Sequence, residues 1–311
     1  MGFILRMQRY EFLGNLPNFI VLFFRKPLIF RNFVAYLFTF VTARLAFSAA
    51  SLSHGFRSLS RWNEVLFLTI MQTKTRAIVL HCLKYGESQY IVDMFTEAMG
   101  RVAFIQTVRP TGRGKIRKQL FQPLSILDIE YDHRQRVSLQ RLKEARLLVP
   151  YASIPFDAYK LSLTIFVSEF LLHVTRNETQ NAPLFDYVVA SLMWLDGCCR
   201  GFANFHLVFM LRLSLFVGFY PNLEAEDGER WFDLRAACFV PGRPPHPDFL
   251  VPDDAARLRL LMRMTFDNMH LFAMSRVERN RCVDLILKYY ALHMPDFPEM
   301  RSLDVMKSLF V

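Results

Sequence analysis

The stretch richest in chemistry is Arg109-Pro110-Thr111-Gly112-Arg113-Gly114-Lys115-Ile116-Arg117-Lys118, where five cations sit among residues that break regular structure. Guanidinium and ammonium groups on a Pro- and Gly-marked loop suit backbone phosphates, because each donor carries a full charge and the loop can follow a polyanion. Alone, such a run reads as a solvated loop. Its surroundings argue otherwise: residues 101 to 146 hold eleven basic side chains against Asp128, Glu130, Asp132 and Glu144, a net of +7. Residues 151 to 311 hold 16 basic and 19 acidic side chains, a net of −3, so the positive field belongs to one segment. The candidate phosphate ligands are Arg101, Arg109, Arg113, Lys115, Arg117 and Lys118, with Arg134, Arg136, Arg141, Lys143 and Arg146 extending the track. Tyr90, Phe104 and Phe121 are candidates for stacking on bases, although strand alternation turns at least half of such rings inward.

Other site chemistry is missing from the sequence. Gly114-Lys115 is followed by Ile116, and the position five residues before Gly114 is Arg109, so no phosphate-binding P-loop exists. Gly112-x-Gly114 has Arg117 where a dinucleotide fingerprint has its third glycine, and neither G-x-S-x-G nor H-E-x-x-H occurs. His81, His133, His173, His206 and His246 are scattered. Cys198 and Cys199 are adjacent, so on a helix their side chains diverge by about 100° and chelate one metal poorly. Cys82, Cys238 and Cys282 stand alone, and an odd count of five describes no disulfide framework. The reading is a reducing compartment and no catalysis.

Two kinds of element must position the cations. From Arg76 to Val149 the pattern is strand-like: Arg76 to Tyr85, a turn at Gly86-Glu87-Ser88, Tyr90 to Phe95, a turn at Met99-Gly100, and Arg101 to Val108. Leu124 to Tyr131 and Val137 to Leu148 read as further strands, the end of the last with some helical character. Five short antiparallel strands in about 75 residues predict a small closed barrel that hides its edges. After Pro150 the period becomes helical. Asp157 to Thr175 is apolar almost all round and predicts a buried helix. Pro183 to Gly197, Phe202 to Val217, Asp253 to Met274 and a helix capped by Ser275-Arg276-Val277-Glu278 follow. Asn222 to Pro252 is a Pro- and Gly-rich excursion with a hairpin of Trp231 to Leu234 against Cys238 to Val240. The class is therefore α+β: residues 71 to 150 form a β-barrel domain, and 151 to 311 an all-α domain carrying the excursion near 222 to 252.

Residues 1 to 70 differ from the rest, with eight basic side chains against Glu11 and Glu64 among runs rich in Phe and Leu. Arg25, Lys26, Arg31 and Arg44 keep any run below the ~18 residues of a spanning helix. Three readings stand: a membrane-anchoring arm, a targeting segment, or a start codon placed too far upstream, with Met71 as the first residue. The ordinary charge balance that begins at Met71 favours the last.

Ala77-Ile78-Val79-Leu80, Lys84-Tyr85-Gly86-Glu87-Ser88, Ile91-Val92 and Phe95-Thr96 followed by Gly100-Arg101 resemble the RecO family of bacterial DNA repair and recombination mediators. The resemblance continues through the basic loop and Leu120-Phe121-Gln122-Pro123-Leu124. It is visible again at Phe209-x-Leu211-Arg212-Leu213 and Gly218-Phe219-x-Pro221, and covers roughly 71 to 311.

That resemblance implies an N-terminal OB-fold, a C-terminal helical domain and action without turnover of a substrate. It implies binding of single- and double-stranded DNA, annealing of complementary strands, and loading of the RecA recombinase with RecR and often RecF onto DNA coated by single-strand binding protein. It implies capture of that coating protein's acidic, Phe-terminated tail, for which Arg200 and Arg212 are candidates, and a bacterial cytoplasmic, nucleoid-associated location. Many members carry a four-cysteine zinc site near the 222 to 252 excursion. Cys238 alone stands there, so no structural zinc and no other cofactor is expected, and Trp231, Phe232 and Phe239 are expected to hold the excursion by packing. The competing class is a protein-interaction adaptor with incidental DNA binding.

Overall fold

A computed structural model describes residues 71–108, 116–224 and 230–309. The leading segment, with its three readings, and the loop cations Arg109, Arg113 and Lys115 lie outside the described residues.

Alternating burial sets the strands. β1 (Met71–Tyr85), β2 (Gln89–Thr96) and β3 (Gly100–Thr107) form a meander; β4 (Ile126–His133), β5 (Leu139–Gln140) and β6 (Leu142–Leu147) complete one sheet in the order β5-β3-β2-β1-β4-β6. β1 is long enough to serve two partners, pairing with β4 over Met71 to Ile78 and with β2 from Ala77 to Tyr85. The hydrogen-bonded ladder has two ends and is not closed, unlike the closed barrel expected from the sequence. Both end strands nevertheless come from one segment: β5 runs parallel to β3 and, past Arg141, β6 runs antiparallel to β4. That single segment, strand throughout where helix was also expected, curls the sheet into an OB-like half-barrel around Val79, Val92, Met94, Phe104, Ile129 and Tyr131.

The register slips between Val79 and His81, leaving Leu80 as an extra residue, and again between β4 and β6 at Glu130 and Tyr131, leaving Lys143 as one. The Leu80 carbonyl accepts a 2.5 Å hydrogen bond from Ser168 Oγ. Ile78, Leu80 and Phe95 lie on the outer face of the sheet and join the helical core rather than the barrel core.

The helical part holds α1 (Ala158–Val174), α2 (Ala182–Gly197), α3 (Phe205–Phe216), α4 (Pro252–Leu261), α5 (Arg276–His293) and α6 (Leu303–Leu309). Asp157 caps α1 by accepting from the Tyr159 and Lys160 amides, Asn181 caps α2, and the Ser275/Glu278 capping box opens α5 as its sequence predicts. α1 is less enclosed than its composition suggests, since Leu161 and Ile165 remain exposed. Helix 253 to 274 is cut short at Leu261. Asn268 Oδ1 accepts from the Thr265 amide, the Asn268 amide donates to Thr265 Oγ1 and the Asn268 side chain donates to the Arg263 carbonyl, so side-chain bonds take over from helical ones there. The excursion forms β7 (Trp231–Asp233), β8 (Cys238–Val240) and β9 (Phe249–Leu250), with Phe232 and Phe239 edge to face at 5.1 Å and Trp231 against Phe249.

Where the sheet hands over to helix, Asp196 at the end of α2 accepts the backbone N–H groups of Ala152, Ser153 and Ile154. Buried Lys160 donates to Ser153 Oγ and to the Asp196 and Cys198 carbonyls, which also satisfies the last turn of α2. These bonds hold the Asp196 carboxyl below its ordinary range despite partial burial. Asp196→Ala should destabilise the chain by about 1–3 kcal/mol, since it frees three backbone donors at once, that of buried Ile154 among them; an unchanged urea midpoint would contradict this.

Burial, with the Arg279 guanidinium nearby, holds the His206 imidazole down to about 3. The unfolded chain binds that proton near pH 6.5 and the folded chain refuses it, so stability present at pH 7 is lost as pH falls below 6.5, by up to ~1.4 kcal/mol per pH unit. His173 is pushed the same way by burial. The carboxylates whose values are lowered, Asp196 among them, act only below about pH 4. The urea midpoint should therefore drop between pH 7 and pH 5, and His206→Leu should shrink that drop; equal drops in both proteins would refute the assignment.

Candidate nucleic-acid interface

The predicted cations divide into those exposed on short or irregular segments and those committed to the fold. Arg101 belongs to the second group: its guanidinium bonds Asp93 at 3.0 Å and the Leu172 carbonyl of α1 at 2.8 Å, and its amide donates to the Glu178 carbonyl. The neighbouring Gly100 has φ 71°, and a Cβ there would meet the Glu178 and Thr179 carbonyls at 2.3 Å. The Gly-Arg pair that stands out in the sequence thus fits the sheet against the helices. Lys143 is paired with Asp132 at 2.7 Å and Arg146 with Glu144 at 3.1 Å, both near the surface, where such pairs yield easily to phosphate.

β3 leads, through the 109–115 segment, into the first of two described segments that hold the remaining cations, the turn at Arg117 and Lys118 that packs against β1 and β6. At its exit, Val108 donates to the Ser88 carbonyl, and the chain then enters the 109–115 segment and returns at Ile116. Lys118 opens a short 3-10 turn with its ammonium 5.5 Å above the Tyr90 ring, and Arg117 is exposed beside it. The second segment is β5 with the loop before it. Gln140 is buried and donates to the Arg134 and Val137 carbonyls while accepting from the Arg134 amide, so it gathers the β4–β5 loop onto the strand end. Exposed Arg134, Arg136 and Arg141 are thereby held beside β3. A polar residue inside the barrel is the reason this loop has a shape.

Of the three candidate stacking rings, Phe104 and Phe121 are buried in the barrel core, with Phe104 edge-on to Tyr131 at 5.0 Å. Tyr90 is half-buried at the mouth under Lys118. Sequence reasoning passed over Arg76, which bonds Glu97 through two nitrogens and reaches Asp186 of α2 at 2.8 Å. These partners raise its already high pKa, and its side chain also lies over Phe185. The alternation of β1 marks Arg76 as outward-facing but gives no sign that α2 meets it.

In the helical part, Arg200 is exposed in the turn before α3, whereas Arg212 lies two turns into α3, its charge felt at Tyr187. The structure does not bring the two together. Between α4 and α5 a groove of about 1100 Å³ has an apolar floor including Leu258, Leu261, Phe272 and Leu285, with Arg257, Arg263, Arg281 and Lys288 among its polar lining.

The excursion offers a poor donor set for zinc, which asks for four thiolate or imidazole ligands at tetrahedral positions. Half-buried Cys238 is the one thiol of the excursion. His246 is engaged with Asp233 at 3.2 Å, and Asp248 with Arg235 and Lys288. Among the described residues no three His, Cys, Asp or Glu side chains are placed to hold a metal ion. The residues do not fit the metal that the resemblance implies, and none of the described helices is long and apolar enough to cross a membrane.

Comparison with known proteins follows the same division. The family model described as recombination protein O N terminal matches residues 71–151, and the one described as recombination protein O C terminal matches 155–302. The DNA repair protein RecO of Phocaeicola vulgatus is 48% identical over 240 residues, 77% of this chain and 100% of its own length. That of Bacteroides fragilis is 48% identical over 241 residues with the same coverage, and that of Porphyromonas gingivalis 36% identical over 241 residues, 76% of this chain and 98% of its own.

If Arg101 is a strut, Arg101→Ala should lower the melting temperature by several degrees and leave the salt dependence of DNA binding unchanged. A salt slope reduced by about one, with an unaltered melting temperature, would make Arg101 a phosphate ligand instead.

Proposed function

Because this chain belongs to the recombination protein O (RecO) family of DNA repair proteins, we propose that it is a non-catalytic recombination mediator. In this reading it binds single- and double-stranded DNA, anneals complementary strands and helps load RecA onto DNA coated by single-strand binding protein. The observation that supports the reading is the placement of cations: Arg117 and Lys118 on the short turn against β1 and β6, and exposed Arg134, Arg136 and Arg141 along β5 and the loop before it, on a sheet segment of net charge +7 within a chain whose helical part is acidic.

Annealing needs no base, metal or nucleotide in this scheme. Cations along the sheet neutralise phosphates of two strands at once, lowering their mutual repulsion and raising their local concentration. Arg109, Arg113 and Lys115, which follow β3 in the sequence and lie outside the described residues, are expected to add to these cations. RecR, with RecF in some settings, is the expected protein partner, and the setting is the bacterial cytoplasm at the nucleoid. For the tail of single-strand binding protein, the α4–α5 groove offers both an apolar floor for a terminal Phe and cations for carboxylates. Arg200 and Arg212, being apart, supply at most one contact each. The excursion is held by the Phe232/Phe239 packing and the Arg235–Asp248–Lys288 pairs in place of zinc, so chelator should leave the melting temperature unchanged; a drop of several degrees would restore the metal.

The test of function uses the full-length chain and complementary oligonucleotides, bare and coated with single-strand binding protein, across a salt series. Annealing that survives the coat is expected. Arg113→Ala/Lys115→Ala/Arg117→Ala should weaken DNA binding uniformly across sequences and lower the salt slope by about three. A folded chain that binds a partner protein yet anneals nothing would instead make it an adaptor.

A further inference from the structure

Gln140 sits inside the barrel and bonds as a backbone residue would. It is 4% exposed and stands opposite Phe104 of β3 in the ladder. Its carboxamide oxygen accepts from the Arg134 amide at 3.1 Å, and its nitrogen donates to the Arg134 carbonyl at 2.9 Å. One side chain thus exchanges both bonds with one residue, the pattern of a hydrogen-bonded pair between antiparallel strands. The same nitrogen donates to the Val137 carbonyl at 2.6 Å, and the Val137 amide donates to the Arg134 carbonyl at 3.2 Å. All three bonds of the carboxamide go to the 134–137 turn, and they close the β4–β5 loop at its neck.

The loop brings no core anchor of its own: residues 134 to 138 are all exposed. A leucine at 140 would fill a similar volume beside Phe104 without bringing a polar group into the barrel interior, where such a group costs stability unless it is bonded. What leucine would lack is any hold on Arg134 and Val137. The carboxamide therefore has its consequence in the loop, which carries Arg134 and Arg136 and leads through Gln140 to exposed Arg141. We infer that Gln140 is a positioning residue for nucleic acid: without touching the ligand, it presents Arg134, Arg136 and Arg141 in one arrangement before the ligand arrives. The inference rests on the DNA-binding reading and adds to it what sets affinity at this loop. A loose loop with the same cations reaches the same phosphates, but binding must then order it, at a cost in chain entropy. The salt slope counts phosphates neutralised and is blind to that cost, so position and contact separate.

The experiment titrates the full-length chain into a fluorescent oligothymidine across a salt series. Gln140→Leu should lose about tenfold in affinity at every salt concentration, with the salt slope unchanged. Arg134→Ala/Arg136→Ala should instead lower the slope by about 1.4, the share of two contacts on a single strand. Gln140→Glu supplies a readout that packing alone does not move. Ionised, it accepts from the Arg134 amide and opposes two carbonyls; protonated, it donates to one of them, and burial favours the protonated form. Its affinity relative to the unmodified chain should rise as pH falls from about 8 to about 6, while that of Gln140→Leu stays level. Melting temperatures show which variants are folded in the assay; where Gln140→Leu is not, the pH profile of Gln140→Glu decides alone. Wild-type affinity in folded Gln140→Leu, or a flat profile for Gln140→Glu, would overturn the inference. An unchanged slope in the double arginine variant would take the loop out of the interface and overturn it too, while DNA binding by the other cations stands. Absence of DNA binding by the unmodified chain would overturn the DNA-binding reading as well.

Discussion

A single inserted residue governs this structure. Side chains on a strand alternate with a period of two, so an extra residue exchanges the two faces for everything beyond it. In β1 that residue is Leu80, and the carbonyl it displaces from the ladder is satisfied by Ser168 of α1. On one side of the slip the outer face of the sheet is a floor for helices; on the other it faces solvent. The bulge keeps Leu83 and Tyr85 on the same outer face as Ile78, Leu80 and Phe95, so that β1 stays in step with β2 and β3 as the sheet runs out from under the helices.

The covered half is fastened by charged groups that in isolation look like ligands for phosphate. Arg76 links the end of β2 to α2 through Glu97 and Asp186, and Arg101 links β3 to the carbonyl end of α1. Gly100 allows the Glu178–Thr179 backbone to approach where any side chain would collide. Partly buried, multiply bonded arginines of this kind are costly to move, because breaking the pair leaves a charge in a poorly solvated place. In the proposed reading, the cations that meet DNA therefore lie beyond this junction. Those found there, at the exit of β3 and along β5, sit on short or irregular segments that can adjust to a polyanion.

Much of the architecture was legible from pattern. The β1–β3 meander, the Pro183 and Ser275 helix starts and the Trp231 hairpin all have local signals, namely alternation, capping chemistry and turn residues. The failures are equally physical. Helix 253 to 274 has good local propensity, and its break depends on Asn268 and Thr265 capturing backbone groups across a turn. Phe104 and Phe121 looked like stacking candidates because ring type is visible in a sequence and facing direction is not. Arg101 looked free because its partners Asp93 and the Leu172 carbonyl are far apart in the chain. Tyr85 and Leu83 went unnoticed as surface groups, since a bulge has no reliable sequence mark. The positive charge of the 101 to 146 segment was legible, because net charge does not depend on facing direction.

The central claim is that DNA lies on the uncovered half of the sheet, between the exit of β3 and the β4–β5 loop. Hydrogen exchange of the full-length chain, with and without a saturating oligothymidine, tests it in one comparison. Slowed exchange should appear in residues 81 to 93, 101 to 118 and 134 to 141, with the amides of α4 and α5 unchanged. Protection confined to the helical part, or none in the sheet despite saturated binding, would contradict the account.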